Sequence, residues 1–242
     1  MPTSPSNQTD DPTQSLQAFA LSDLEPYTRE RKYANNASRD FHLFFVGRDD
    51  VHDILKYILS RVRVSLYLNM FGYDDDELND IIFQKVLDPT VTTLITLDES
   101  QSNGVHEKKL LDLDRQQNLS AFNTHIVIGT SATRQISHTK GFVADGKVAA
   151  EGSTNWSASG EGTFIVTKAG QDAANAKATL AAGPGGADYK AQNNTQSVIT
   201  DPDTITRFTA ELLAEHLTAQ KIAAAKKAVP APGPAPKPPV GP

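Results

Sequence analysis

The chain has 242 residues, a formal net charge of −6 at pH 7 and no cysteine. Its length favours one domain with tails, because single domains rarely exceed roughly 250 residues. The net charge argues against a globally basic nucleic-acid-binding protein, although a local basic cleft remains compatible with it. Without cysteine, a disulfide framework and a metal site built on thiolates are both excluded.

Composition divides the sequence into three segments. Residues 1–38 are polar and contain Pro, Ser, Thr and Asn throughout, so we expect them to be mostly disordered, with at most a short helix over 16–24. Residues 39–220 carry the apolar patterns of a folded domain, and residues 221–242 form a tail rich in Lys, Ala and Pro. Inside the domain, the Ala- and Gly-rich stretch 168–190 is interpreted as an insertion near the site. It is either a lid or, as we favour, a tolerated surface loop.

Strands and helices alternate along the domain. Residues 41–46 predict a buried strand, after which Asp49 or Asp50 can cap a helix whose apolar residues recur every three or four positions. Alternation over 62–70 predicts the next strand, and the acidic run 74–77 is interpreted as the start of a second helix rather than as a metal site. The other predicted elements are a strand over 91–97, a helix over 105–113, a strand over 125–128, a hairpin over 138–151, a strand near 198–200 and a helix over 205–213. This alternation predicts an α/β/α sandwich with a mixed, mostly parallel sheet.

The hairpin region contains the most informative pattern of the chain. Six specified residues within eighteen positions form the pattern H-x-K-x4-D-x6-G-S-x-N: His138, Lys140, Asp145, Gly152, Ser153 and Asn155. A neutral imidazole is a nucleophile, an ammonium binds phosphate oxygens, and Ser, Asn and backbone N–H groups can hydrogen-bond the remaining oxygens. These are the groups needed to attack a phosphodiester without a metal.

Local geometry directs the polar residues of this pattern toward one ligand. Side chains two apart on a strand share a face, so His138 and Lys140 are expected to point the same way. Asp145 and the glycine after it predict a tight hairpin turn. Gly152 begins a loop beside the first strand, and its lack of a Cβ would let the backbone approach a phosphate.

The pattern resembles the HKD motif of the phospholipase D superfamily, and the likeness extends over about residues 41–216. Residues 71–78 resemble that family's strand-to-helix junction, and residues 198–202 resemble its last strand entering the C-terminal helix. The resemblance implies a phospholipase D-like fold in which His138 attacks phosphorus and forms a phosphohistidine, while Lys140, Ser153 and Asn155 bind the phosphate oxygens. It also implies a supporting role for Asp145, and no metal or other cofactor.

A single motif in the chain implies a partner. Many members of the family carry two motifs, whereas the other His-x-Lys here, at His106 and Lys108, has Leu113 at the Asp position and is interpreted as a helix start. The chain therefore resembles the small one-motif bacterial nucleases, which are symmetric homodimers. In such a dimer the second copy of His138 would protonate the leaving oxygen and then activate water.

One departure from the family concerns the residue that orients the nucleophile. The family usually has a Glu shortly before the last strand, but residues 192–195 here are Gln-Asn-Asn-Thr. Asn194, Glu151 or Glu161 could take over that role. A neutral orienting group would stabilise an imidazolium less than a carboxylate does.

Other residues that suggest chemistry are interpreted as structural. The histidines outside the motif and its partial repeat lie within regular elements, and none has a metal-ligating neighbour four residues on: His42, His52, His125 and His216. Trp156 directly follows Asn155, and packing is its favoured role, with stacking on a base or sugar as the minority alternative.

The substrate class stays open. A nuclease acting on DNA or RNA is the first hypothesis, a phospholipase D acting on phosphatidyl lipids is the alternative, and a non-catalytic nucleic-acid-binding module is a third. No apolar run approaches the roughly 20 residues needed to span a bilayer, and the N-terminus lacks the pattern of a secretory signal. We therefore expect a cytoplasmic protein, with export by another route left open.

Overall fold

The computed structural model describes residues 15–98, 104–117, 124–129, 138–162 and 192–228. The strands are β1 (Phe41–Phe45), β2 (Ser65–Met70), β3 (Thr92–Asp98), β4 (Thr124–Gly129), β5 (Lys140–Ala144), β6 (Val148–Gly152) and β7 (Thr195–Ile199). The helices are α1 (Val51–Ser60), α2 (Asp76–Leu87), α3 (Val105–Gln117), α4 (Ala158–Glu161) and α5 (Pro202–Ala228). The 168–190 insertion and the tail beyond residue 228 lie outside the described residues.

The seven strands form one mixed sheet in the order β1-β7-β6-β5-β2-β3-β4. β2 pairs in parallel with β3, and β3 with β4, whereas the pairs β1–β7, β7–β6, β6–β5 and β5–β2 are antiparallel. The prediction of a mixed α/β sheet is confirmed, but the prediction that it is mostly parallel is wrong. Helical crossovers produce parallel neighbours only from β2 to β4, while the tight β5–β6 hairpin can only give an antiparallel pair.

Apolar side chains on the two faces of the sheet form two separate clusters. On one face, Leu68 and Phe142 pack with the buried residues of α1 and α2. On the opposite face, Val143 packs with Ile205 and Leu212 of α5. Helices therefore cover both faces, as the predicted α/β/α sandwich requires. Among the described residues, no helix is long and apolar enough to cross a membrane.

The segment before β1 packs on the main core. Two 3-10 helices, Leu16–Ala18 and Leu21–Tyr27, bury Leu16, Leu21 and Leu24 in the cluster that contains α1 and α2. The short helix expected around residues 16–24 is present as these two 3-10 helices, and residues 25–27 extend it, because three leucines supply enough apolar surface to dock the segment. The boundary expected at residue 220 also falls inside α5, which continues to Ala228.

Two acidic side chains begin helices, as their positions before apolar repeats predict. The Asp50 carboxylate accepts a hydrogen bond from the Asp53 N–H at 3.2 Å, and the Asp75 carboxylate accepts one from the Leu78 N–H at 2.7 Å. Each satisfies a donor that the first helical turn would otherwise leave unpaired. The acidic run before α2 is thus explained in part by capping.

Asp145 fixes the hairpin to the start of β2. Asp145 and Gly146 have φ values of 52° and 62°, which confirms the predicted tight turn. The Asp145 carboxylate accepts hydrogen bonds from the backbone N–H groups of Arg63, Val64 and Ser65 at 2.8 to 3.1 Å. These bonds lie at the first end of β2. Met70, the residue that pairs with Lys140, lies at the other end of the same strand.

The variant Asp145→Asn should destabilise the fold, because it replaces a charged acceptor of three backbone donors by a neutral one. We expect the free energy of unfolding to fall by about 1–3 kcal/mol, measured by urea denaturation. Asp203→Asn, at an exposed position of α5, is the matched control and should change it by less than about 0.5 kcal/mol. Equal losses in the two variants would contradict the role given to Asp145.

Candidate active site

The motif residues gather at one edge of the sheet, where β2 and β6 end and β5 and β7 begin. Met70 of β2 pairs with Lys140, and Gly152 of β6 pairs with Gln196. His138 immediately precedes β5, and residues 153–155 immediately follow β6. Strand pairing therefore brings the two halves of the motif to the same edge, although twelve positions separate Lys140 from Gly152 in the sequence.

The side chains of His138 and Lys140 contact the same aromatic ring, that of Phe71. The ring centroids of His138 and Phe71 lie 4.6 Å apart, and Lys140 Nζ lies 4.9 Å from the Phe71 centroid. Lys140 Nζ also donates a hydrogen bond of 2.8 Å to the His138 carbonyl oxygen. His138 is exposed, while Lys140 is only 2% exposed. The two side chains thus lie on one side of the strand, in line with their spacing.

Lys140 carries its charge in a partly dehydrated environment. Burial lowers the pKa of the Lys140 ammonium, and the negative charges of Glu151 and Asp98 oppose that shift. The Phe71 ring adds a cation–π contact, which attracts a cation without neutralising it. An ammonium held in this way is suited to bind a negatively charged oxygen of a ligand. Glu151 itself is exposed and acts here through its charge.

Asn155 is held beside the end of β2 by backbone hydrogen bonds. The Trp156 N–H donates to the Gly72 carbonyl oxygen at 2.9 Å, and the Asp74 N–H donates to the Trp156 carbonyl oxygen at 2.6 Å. A Cβ on Gly72 would lie 3.0 Å from Asn155 Oδ1, so the amide rests directly against that glycine. Since Gly72 follows Phe71 in the chain, Asn155 is close to the ring that supports His138 and Lys140.

The Asn155 amide has unused hydrogen-bonding capacity. Its Oδ1 atom is buried, and it has no hydrogen-bond partner among the described residues. Buried polar atoms are nearly always paired, so an exception at a site edge indicates a group that a ligand can engage. The amide NH₂ and oxygen can exchange positions by rotation about the last side-chain bond, so the NH₂ group can donate to a bound oxygen.

Ser153 and Asn194 form a small network that fastens the loop after β6. Ser153 Oγ donates to Asn194 Oδ1 at 3.1 Å and accepts from the Thr195 N–H at 3.1 Å. Asn194 Nδ2 donates to the Gly160 carbonyl oxygen at 2.9 Å and to Gln192 Oε1 at 3.0 Å. Asn194 is thus engaged with the loop and α4 rather than with His138. A ligand oxygen that binds Ser153 would replace the Ser153–Asn194 hydrogen bond.

Gly152 has a packing role that its sequence position did not suggest. A Cβ on Gly152 would lie 2.1 Å from the Thr195 carbonyl oxygen, a backbone atom of the neighbouring strand β7. The missing side chain therefore permits close pairing of β6 and β7, while the approach of a phosphate to this backbone stays a prediction. The pairing of β6 with β7 also sets the position of Ser153, the next residue, at the edge of the sheet.

The remaining aromatic and histidine residues are mostly packing residues, as expected. Trp156 is 1% exposed, and its ring centroid lies 5.8 Å from that of Tyr73 and 6.0 Å from that of Phe142, which leaves no face for a base. His42 stacks on Tyr33 at 3.9 Å. The side chain of His216 is buried against Thr96, and that of His125 lies outside the described residues.

A buried polar cluster behind the Asn155 loop escaped sequence analysis. His52 Nδ1 lies 2.5 Å from Glu161 Oε2 and 3.6 Å from Asp75 Oδ2, while His52 Nε2 lies 2.9 Å from Glu77 Oε2. His52 and Glu161 are 109 positions apart, so no local spacing could reveal the pair. Glu161, one of the residues considered for orienting His138, is therefore occupied by His52.

The protonation of this cluster follows from burial and close charges. Burial alone would lower the pKa of His52, but the hydrogen bond and charge of Glu161, together with Glu77 and Asp75, raise it to about 9. Burial raises the pKa of Glu161 to about 7, although the hydrogen bond to His52 opposes that shift. A proton between His52 and Glu161 is therefore bound more tightly than either group would bind it in water.

The variant Gly152→Ala should disrupt the β6–β7 contact, because the added methyl group meets a backbone carbonyl that cannot move independently of its strand. We expect the free energy of unfolding to fall by about 1–3 kcal/mol in urea denaturation. Gly146→Asn is the control, since nothing lies within 4 Å of a Cβ at Gly146 and Asn tolerates its positive φ. A Gly152→Ala protein as stable as the control would show that the strands are not in close contact.

Comparison with known proteins gives matches among solved structures. No protein-family model matches the chain, and no curated protein matches it. The chain is similar to a phospholipase D family member, Nuc from Salmonella typhimurium, at 12% identity and a TM-score of 0.46, over 73% of this chain and 94% of that one. It is similar to NucT from Helicobacter pylori at 15% identity and a TM-score of 0.48, over 74% of this chain and 96% of that one. It is also similar to phosphatidylserine synthase from Haemophilus influenzae Rd KW20, at 9% identity and a TM-score of 0.47, over 73% of this chain and 38% of that one. The likeness is one of fold.

Proposed function

We propose that this protein is a metal-independent phosphodiesterase that cleaves DNA or RNA through a phosphohistidine formed on His138. The observation that carries the proposal is the contact of His138 and Lys140 with one Phe71 ring. It gives an exposed imidazole and a partly dehydrated ammonium a common support at the edge of the sheet. An anionic ester that binds Lys140 would therefore have its phosphorus atom near a nucleophilic nitrogen.

The reaction begins when a ring nitrogen of His138 attacks phosphorus. The new N–P bond forms as the bond from phosphorus to the leaving oxygen breaks, and a second imidazole supplies a proton to that oxygen. Lys140, Ser153 and Asn155 bind the non-bridging oxygens, where negative charge concentrates in the transition state. Water, deprotonated by the second imidazole, then breaks the N–P bond and restores both histidines.

The second imidazole is His138 of another copy in a homodimer. The chain carries one H-x-K-x4-D pattern, so a single copy supplies one of the two imidazoles that the mechanism needs. The edge strand β1 supports this assembly, because Phe41, Leu43 and Phe45 are 47%, 37% and 41% exposed on one face. β1 pairs with β7, which begins beside Ser153, so an apolar surface for a second copy lies near the site.

Two observations bear on the substrate class in opposite directions. The single H-x-K-x4-D pattern resembles that of the small one-motif nucleases, which favours nucleic acid as the substrate. The net charge of −6 disfavours close approach to a polyanion, so a phospholipase D acting on phosphatidyl lipids remains the second candidate. The site chemistry is the same for both substrates.

The proposal is tested by incubating the protein with four substrates in parallel, in EDTA at 25 °C: single-stranded DNA, duplex DNA, RNA and phosphatidylcholine vesicles. We expect cleavage of nucleic acid, and a loss of at least about 10³-fold in His138→Ala, which removes the nucleophile. Circular dichroism should show an unchanged fold in that variant, because His138 is exposed.

Three results of this experiment would change the conclusion. Unchanged turnover in His138→Ala would refute the assignment of the nucleophile. Activity lost in EDTA while the circular dichroism stays intact, and restored by a divalent ion, would refute metal independence. Release of choline without cleavage of nucleic acid would reverse the order of the two substrate classes.

The shared site is tested by co-expressing differently tagged wild-type and His138→Ala chains in equal amounts. If both copies contribute an imidazole to one site, only dimers of two wild-type chains are active, and activity falls to about one quarter of the wild-type level. Separate sites within each chain would leave about one half. A value of one half would contradict the composite site while leaving the chemistry of His138 intact.

A further inference from the structure

His52, Asp75 and Glu161 bring one ring nitrogen and two carboxylates together in the interior of the protein. Their ligand atoms all lie within 4.8 Å of one another, and they come from α1, the start of α2 and the end of α4. The side chains of His52 and Asp75 are 11% exposed, and that of Glu161 is fully buried. We propose that these three residues form a structural site for a divalent transition-metal ion, with Zn²⁺ as the best match.

The surroundings of His52 are those of a metal-binding histidine. A histidine ligand usually donates its second ring N–H to a carboxylate, which fixes the tautomer and leaves the other nitrogen free to bind the metal. Here His52 Nε2 lies 2.9 Å from Glu77 Oε2. With the proton on Nε2, the lone pair of Nδ1 points toward Asp75 and Glu161. Glu77 is in turn paired with Lys56, which holds the supporting carboxylate in position.

Glu161 provides an independent indication of a ligand. Its side chain is fully buried, and its Oε1 atom has no hydrogen-bond partner among the described residues. An unpaired carboxylate oxygen in the interior is costly, and a bound cation would satisfy it. Asp75 also has an oxygen to spare, because Oδ1 caps α2 while Oδ2 lies 3.6 Å from His52 Nδ1.

The charges of the cluster favour a cation over a proton. Three carboxylates, those of Asp75, Glu77 and Glu161, face the imidazole of His52 and the ammonium of Lys56. With His52 protonated and all three carboxylates ionised, the cluster carries one net negative charge, and only Glu77 and Lys56 in it are open to water, at 51% and 41% exposed. A divalent ion in place of the His52 proton adds positive charge where two of these carboxylates converge.

Two of the ligand separations can be compared with those of a zinc site. In a tetrahedral site with bonds of about 2.0–2.1 Å, ligand atoms lie roughly 3.3 Å apart. The separation of 3.6 Å between His52 Nδ1 and Asp75 Oδ2 is close to that value. The contact of 2.5 Å between His52 Nδ1 and Glu161 Oε2 would lengthen as the metal replaces the shared proton. A mixed nitrogen and oxygen donor set also suits Zn²⁺ better than Mg²⁺.

An ion in this site would join the two segments that hold Asn155 at the candidate active site. Asp75 follows the Gly72–Asp74 segment, which is hydrogen-bonded to Trp156, and Glu161 lies five residues beyond Trp156. The metal would therefore stabilise this loop from behind. It takes no part in attack on phosphorus, so the proposal is independent of the function proposed above.

The test is the binding of Zn²⁺ by the full chain after removal of metals. We expect one ion per chain by elemental analysis after gel filtration, and a rise in Tm of about 5–10 °C when Zn²⁺ is present at 100 times its Kd. Asp75→Asn keeps an acceptor for the Leu78 N–H, so it should fold and yet bind Zn²⁺ at least about 10-fold more weakly. Glu161→Gln should have the same effect. Asp76→Asn, whose side chain is 94% exposed, is the matched control and should bind Zn²⁺ like the wild type.

Several outcomes would overturn the proposal. Absence of stoichiometric Zn²⁺ and of any change in Tm would leave the cluster as a buried ion pair only. Wild-type affinity in Asp75→Asn and Glu161→Gln would locate the ion elsewhere. A rise in Tm with Mg²⁺ equal to that with Zn²⁺ would indicate general charge screening instead of a coordinating site. None of these results depends on whether the protein cleaves a phosphodiester.

Discussion

The antiparallel pairing of β5 with β2 is the constraint on which the candidate site depends. It sets Lys140 opposite Met70, so that the residue after β2, Phe71, meets the side chains of both His138 and Lys140. Because side chains alternate along a strand, a shift of one residue in this register would turn Lys140 toward α5 and away from the ring. The chemistry of the site is therefore determined by the register of two strands.

Features that depend on near neighbours could be predicted from the sequence. The order of strands and helices, the caps of α1 and α2, and the turn at Asp145 each follow from residues at most a few positions apart. The direction of the strands could not be predicted in the same way, because it depends on where the chain crosses the sheet. Alternating strands and helices favour parallel pairs, but after β4 the chain returns through a hairpin, and the pairs it adds are antiparallel.

Features that depend on distant residues were missed or given another role. For Gly152 the sequence suggested room for a ligand. The contact that excludes a Cβ there is with the Thr195 carbonyl oxygen of β7, a strand more than 40 positions further on. The cluster of His52 and Glu161 joins helices whose residues lie 109 positions apart in the sequence, and it involves side chains that look unremarkable one at a time. Buried polar groups are expensive to desolvate, which is why their convergence carries information that composition and periodicity do not.

The contact between Lys140 and Phe71 has a consequence for how an anion would bind. A lysine in a salt bridge meets an incoming ligand with its charge already neutralised, and the ligand must compete with the partner carboxylate. Within the described part of the chain, Lys140 has no carboxylate oxygen within 4.0 Å, and it rests on a ring and a carbonyl oxygen instead. An arriving anion would find a cation already oriented and still formally unpaired, so little reorganisation would oppose its capture.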